Sequence, residues 1–164
     1  MNPKTEKEYR AAVAANPYFK DRWSYFKPVY GLLSEMKPTS MLEAGAHDYP
    51  LYSDSTTVDI GRGANTDVVA DITRTLPFKD KEFDVYMALQ VWEHLKGGQR
   101  AAFAEAQRVA HRVVLSFPYK WRNPEDKTHY NLDDDVFEGW VGRPSKRLVI
   151  PSENGHCRVV YVFE

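Results

Sequence analysis

The chain has 164 residues, 43% of them apolar and 27% charged, the balance of one folded domain. Its 22 lysines and arginines face 23 acids, and the resulting net charge of -1 excludes nucleic-acid binding through a broadly basic surface. One cysteine excludes an internal disulfide framework and a cysteine-rich zinc site, and no run approaches the ~20 apolar residues of a membrane span.

The first ten residues are too charged for a secretory leader, so a cytoplasmic protein is expected. Thr5 and Glu8 stand at capping-box spacing and open a helix carrying Tyr9, Ala12 and Val13 on one face. Asn16-Pro17 reads as a second helix start, with Phe19, Trp23 and Phe26 on its stripe. Pro28 either kinks that helix or opens another, which carries Val29, Leu32, Leu33 and Met36.

Beyond Pro38 the period changes. Short apolar runs ended by glycine, proline or acids predict strands at 41–45, 56–60, 67–72, 83–89 and 112–117. A helix carrying Ala102, Phe103, Ala106 and Val109 precedes the fifth strand, and a short one starting at Leu132-Asp133 follows it. Strands at 148–151 and 157–163 flank Glu153-Asn154-Gly155, a hairpin turn, and the single Cys157 is a packed strand residue. The alternation predicts a single α/β domain with a seven-stranded, mostly parallel sheet, its last strand antiparallel and helices on both faces. Several crossovers have room for little more than a loop.

In open sheets of this kind ligands bind beyond the carboxyl ends of the strands. The first strand exits into Glu43, Gly45 and His47, the second at Asp59, the third at Asp71-Ile72, and the fourth into Gln90, Glu93 and His94. Asp59 can accept both hydroxyls of a ribose, and a turn at Gly45 lets a ligand approach the backbone. Asp71 can accept from the adenine amine, and Ile72 offers a backbone N–H and an apolar face. These are the needs of an adenosine. Each residue also has a plainer reading: Asp59 as a turn residue, Asp71 as a cap, His94 as a partner of nearby backbone. The five histidines show no metal-ligand spacing, and neither a nucleophile elbow nor a nucleotide phosphate loop is present.

The stretch from Met41 to Leu95 resembles the class I S-adenosylmethionine-dependent methyltransferases, in the small-molecule methyltransferase-domain group. Residues 41–46, MLEAGA, resemble the family's first motif, and Val58-Asp59-Ile60 its ribose-binding acid. The arrangement Ala70-Asp71, Leu76-Pro77-Phe78, Phe83-Asp84-Val85 is the most specific match, and residues 90–95, QVWEHL, resemble the segment after the fourth strand. Ser116-Phe117-Pro118-Tyr119 and His129-Tyr130 also look like members of this group. The resemblance implies a Rossmann-like fold over residues 40–164, with residues 1–36 a helical lid over the crevice, its aromatic wall drawn from Tyr18, Phe19 and Trp23. It implies methyl transfer from S-adenosyl-L-methionine to a small-molecule acceptor, with cofactor contacts at Glu43, Gly45, Ala46, His47, Asp59, Ile60, Asp71, Ile72 and Gln90. His94 and His129 are the candidate bases, and no metal, nucleic-acid or membrane partner is implied.

The chain departs from the family's pattern in three places, one of them the direct Val109-Ala110-His111 link from helix to fifth strand where a glycine turn is usual. His47 and Tyr49 stand where further glycines are usual. The short interval from Gly45 to Ser55 leaves almost no helix after the first motif and predicts one open side of the sheet. Two other readings follow. One is an inactive cofactor-binding or interaction module that docks through Trp92, Trp121 and Trp140; the other is a nicotinamide oxidoreductase, which the absence of G-x-G-x-x-G disfavours.

Overall fold

The computed structural model describes residues 1–16, 20, 22–46, 49–121, 131–151 and 157–164. Helix α1 (Glu6–Ala15) starts with the expected capping box, in which Glu8 N donates to Thr5 Oγ1 at 3.3 Å and Thr5 N to Glu8 Oε2 at 2.7 Å. Asn16 is the C-cap of that helix rather than the start of the next, and Pro17 lies outside the described residues. Helix α2 runs unbroken through Pro28 (Trp23–Met36) and ends at Lys37 in the left-handed region.

The strands are β1 (Met41–Ala44), β2 (Thr56–Asp59), β3 (Val68–Val69), β4 (Phe83–Leu89), β5 (Ala110–Tyr119), β6 (Lys146–Ile150) and β7 (Cys157–Phe163). They form one sheet in the order β3-β2-β1-β4-β5-β7-β6. The first five are mutually parallel, and β7 runs antiparallel to both β5 and β6. This is the predicted Rossmann-like mixed sheet. Helices α3 (Gln99–Val109) and α4 (Asp134–Val141) flank β5 in the chain, and Asp133 caps α4 by accepting from Val136 N at 3.0 Å.

β3 and β5 differ in length from the sequence reading. β3 is two residues long instead of six, because Asp67 turns its carboxylate to Thr57 N at 2.8 Å and Asp71 bonds Thr73. β5 continues through Pro118 to Tyr119, with Pro118 opposite Arg158 in the register with β7. The turn at 153–155 falls outside the described residues.

The sheet has apolar side chains on both faces, as parallel strands require. Leu42, Tyr86, Leu115 and Tyr161 point into a core with α3 and α4. Met41, Val85, Met87, Val114 and Val160 point the other way, against Phe26, Val29 and Leu33 of α2 and against Tyr49, Leu51 and Tyr52. The predicted open side is therefore closed. The helix missing after β1 is replaced by the N-terminal helices and by a loop tied down at Leu51 and Tyr52. Glu43, at the end of β1, accepts from Leu51 N at 2.7 Å and Tyr52 N at 2.9 Å. On the outer side Lys4 N donates to Leu51 O at 2.8 Å and Pro3 bridges to Tyr52. Among the described residues no helix is long and apolar enough to cross a membrane.

Candidate functional site

The carboxyl ends of β1, β2 and β4 open onto a cleft of about 910 Å³, its mouth included, and the first turn of α2 forms the opposite wall. Glu43, Gly45, Ala46, Asp59, Gln90 and His94 all line it, so six of the sequence-predicted residues converge there. Gly45 sits at φ +67°, and a Cβ at this position would stand 2.5 Å from Val91 Cγ2. Only glycine fits both the conformation and the space. Its N–H donates to Val58 O at 2.9 Å, which sets the exits of β1 and β2 side by side and brings Gly45 next to Asp59.

Glu43 is 3% exposed, and both its oxygens are engaged by the backbone of the loop. Burial raises its pKa above the ordinary carboxylate range, against the pull of those N–H donors and of Lys4. Its work is to hold the loop that forms the cleft floor. Asp71 does not line the cleft: its Oδ1 accepts from Thr73 N at 2.9 Å and Thr73 Oγ1 at 2.7 Å, and these bonds lower its pKa. Ile72 is buried in the α3-side core, and Ile60 is 76% exposed beyond the end of β2. His47 and His129 lie outside the described residues.

Gln90 directly follows β4 at φ +59°, an uncommon conformation for a side-chain-bearing residue. Ser116 on β5 holds it there. Gln90 N donates to Ser116 O at 2.9 Å, and Gln90 Nε2 donates to Ser116 Oγ at 3.1 Å. The same Oγ shares a hydrogen bond with the buried Tyr25 hydroxyl of α2. Burial pushes the Tyr25 phenol well above its ordinary pKa, so it stays protonated as a hydrogen-bonding group. The network joins the N-terminal helix to the fourth and fifth strand exits.

Behind this network lies Glu93, in the 3-10 turn Trp92–His94 that follows β4. It is 2% exposed, its Oε2 has no partner among the described residues, and its Oε1 is 3.9 Å from His94 Nε2. Burial pushes its pKa up to about 8, opposed by a backbone hydrogen bond and by Arg158 and Arg22. Arg22, Tyr25, Phe26 and Tyr49 are cleft residues that the sequence did not reveal as such. The aromatic stripe of α2 reads as core packing, and Phe26 is core and wall at once. Tyr25 lies off that stripe and gives no local signal.

Residues 37–113 match the family model described as a methyltransferase domain. The first four strands and the glycine turn facing an acid on the next strand fall within that match. The chain resembles the class I S-adenosylmethionine-dependent methyltransferases in sequence pattern and in fold. Among solved structures it is similar to the 1,6-didemethyltoxoflavin-N1-methyltransferase of Burkholderia thailandensis, determined with 1,6-didemethyltoxoflavin and S-adenosylhomocysteine. The TM-score is 0.69 at 12% identity, over 99% of this chain and 91% of that one. The methyltransferase domain of bacterial CtHen1 matches with a TM-score of 0.61 at 14% identity, over 87% of this chain and 99% of that one. A SAM-dependent methyltransferase from Aquifex aeolicus matches with a TM-score of 0.59 at 13% identity, over 88% of this chain and 94% of that one. No curated protein matches the chain. Trp92, one of the three tryptophans of the interaction-module reading, is fully buried in the α3-side core and is not part of an exposed patch.

Proposed function

We propose that the chain is an enzyme that transfers a methyl group from S-adenosylmethionine to a small-molecule acceptor. The observation that carries this reading is the Gly45 turn beside the Asp59 carboxylate, on adjacent strand exits, in the wall of one cleft. The residues suit the cofactor. Gly45 has no Cβ and no room for one, so bare backbone stands at the β1 exit. Asp59 offers a two-oxygen acceptor to vicinal hydroxyls, and exposed Ile60 beside it offers an apolar face to a base. Ala46, next in the cleft wall, is a proposed contact to the cofactor's amino-acid end, and His47 is proposed from the sequence alone. Asp71 and Ile72 are the proposed adenine contacts, with Asp71 using whatever acceptor capacity Thr73 leaves.

S-adenosylmethionine, when bound, supplies a methyl group already made electrophilic by its sulfonium. The protein's share is then to hold donor and acceptor in line and exclude water. Orientation of that kind is worth ~7–11 kcal/mol of barrier. The rigid Tyr25–Ser116–Gln90 network suits this task, since it fixes the wall where β4 exits. His94 in that wall and His129 are the candidates to take a proton from a hydroxyl or ammonium acceptor. Residues 1–36 act as the lid through the first turn of α2. Calorimetric titration of the full chain with S-adenosylhomocysteine tests the reading: micromolar binding that Asp59→Ala weakens supports it, and no binding refutes it.

A further inference from the structure

Arg158 adjoins the cleft through Tyr25 and makes no ion pair with the described residues. It is the second residue of β7, opposite Pro118 at the carboxyl end of β5, and is only partly exposed. Its guanidinium lies over the Tyr25 ring, 5.1 Å from the centroid, and Tyr25 lines the cleft. Its Nε is buried and has no hydrogen-bond partner among the described residues, and no carboxylate among them pairs with it. The nearby acid is Glu93, whose Oε2 is likewise buried and unpartnered. Glu93 and Arg158 feel each other electrostatically but form no hydrogen bond or ion pair, and burial favours the uncharged carboxyl of Glu93. Arg22, in the same wall, adds a second positive charge. A partly buried, unpaired guanidinium is costly, and an oxyanion with complementary geometry recovers that cost.

The sheet order decides which molecule brings the oxyanion. Asp59 is on β2 and Arg158 on β7, four strand spacings away in the order β2-β1-β4-β5-β7, roughly 19 Å at ~4.8 Å each. A cofactor whose ribose sits on Asp59 extends its carboxylate by about six single bonds, roughly 8 Å. It ends over β1 and β4, short of Arg158. We propose that Arg158, stacked on Tyr25, anchors an oxyanion of the methyl acceptor, so that the acceptors of this protein are acidic small molecules such as aromatic carboxylates. This proposal rests on the methyltransferase reading for the word acceptor, while the anion site itself stands on the geometry of Arg158, Tyr25 and Glu93.

The test is a set of titrations on the full chain with salicylate, its neutral analogue salicylamide, and S-adenosylhomocysteine, each on wild type, Arg158→Gln and Arg158→Lys. Salicylate is expected to bind wild type, to bind Arg158→Gln ~10-fold or more weakly, and to bind Arg158→Lys with intermediate affinity, because lysine keeps the charge and loses the planar stack. Salicylamide is expected to respond less than 2-fold to either change, and S-adenosylhomocysteine to neither. If Arg158→Gln does not fold, the Arg158→Lys arm decides alone, with a several-fold loss required. Salicylate that fails to bind wild type, or binds all three proteins alike, overturns the anchor. Failure of S-adenosylhomocysteine to bind wild type overturns the methyltransferase reading instead, whatever salicylate does.

Discussion

The Tyr9 hydroxyl of α1 accepts hydrogen bonds from Arg22 N at 2.8 Å and from Trp23 N at 3.1 Å. Helix α2 has no side-chain cap of its own at Arg22, so a phenol from the preceding helix does that work. The bond also sets where Arg22 and Tyr25 meet the cleft. Tyr9→Phe keeps the ring packing against Trp23 and Phe26 and removes only the oxygen. A loss of ~1–2 kcal/mol is expected, or a Tm lower by roughly 2–8 °C. S-adenosylhomocysteine affinity should fall with it, by several-fold, because the cleft wall loosens. Thermal unfolding and calorimetry on the one variant check both effects.

Gly45→Ala asks for two things the site cannot give. The left-handed backbone costs ~1–2 kcal/mol for any residue with a Cβ, and that Cβ meets Val91. Reduced Tm and loss of cofactor binding are expected. Adding Val91→Ala makes room for the methyl but leaves the backbone penalty, so the double variant should recover part of the stability and no more. Full recovery would mean the conformation carries no cost.

Asp59 and Asp71 should separate. Asp59→Ala removes a charged acceptor from the cleft wall, so cofactor affinity should drop ~10-fold or more with little change in Tm. Asp71 already bonds Thr73, so Asp71→Ala should lower stability by ~1 kcal/mol. Its effect on affinity should be smaller than that of Asp59→Ala. Reversal of this order in paired Tm and affinity measurements would make Asp59 a turn residue.

Glu93 predicts a pH dependence of stability. Its pKa rises from 4.5 to about 8 on folding, so between those values the folded chain binds more protons than the unfolded one. The contribution is fully present below pH 4.5 and is lost as pH rises through 8, at up to ~1.4 kcal/mol per pH unit. Glu93→Gln is uncharged throughout and should flatten that slope, making the variant the more stable relative to wild type at pH 8 to 9. Urea unfolding of both proteins from pH 5 to 9 reads the difference directly.

Local patterns carried much of this fold. Apolar runs placed all seven strands, and the central ones most clearly, because a strand buried on both faces needs an unbroken apolar stretch. The Thr5–Glu8 spacing placed the first helix, because a capping box closes within four residues. The strand exits likewise pointed to Gly45, Asp59, Gln90 and His94, which do meet in one cleft. Tertiary structure alone decided what closes the sheet where the crossover helix is missing. That depends on Glu43 reaching Leu51 and Tyr52 and on α2 packing over β4 and β5, and neither has a periodic signature. It alone decided that Asp71 bonds Thr73 beside the cleft and does not line it. It also brought Tyr25 to Ser116, 91 residues away, and set Arg158 over the same ring. Hydrogen bonds and cation–π contacts between distant residues follow from strand order and register. Strand order is settled by how all the apolar faces are buried together, which no short window of sequence contains.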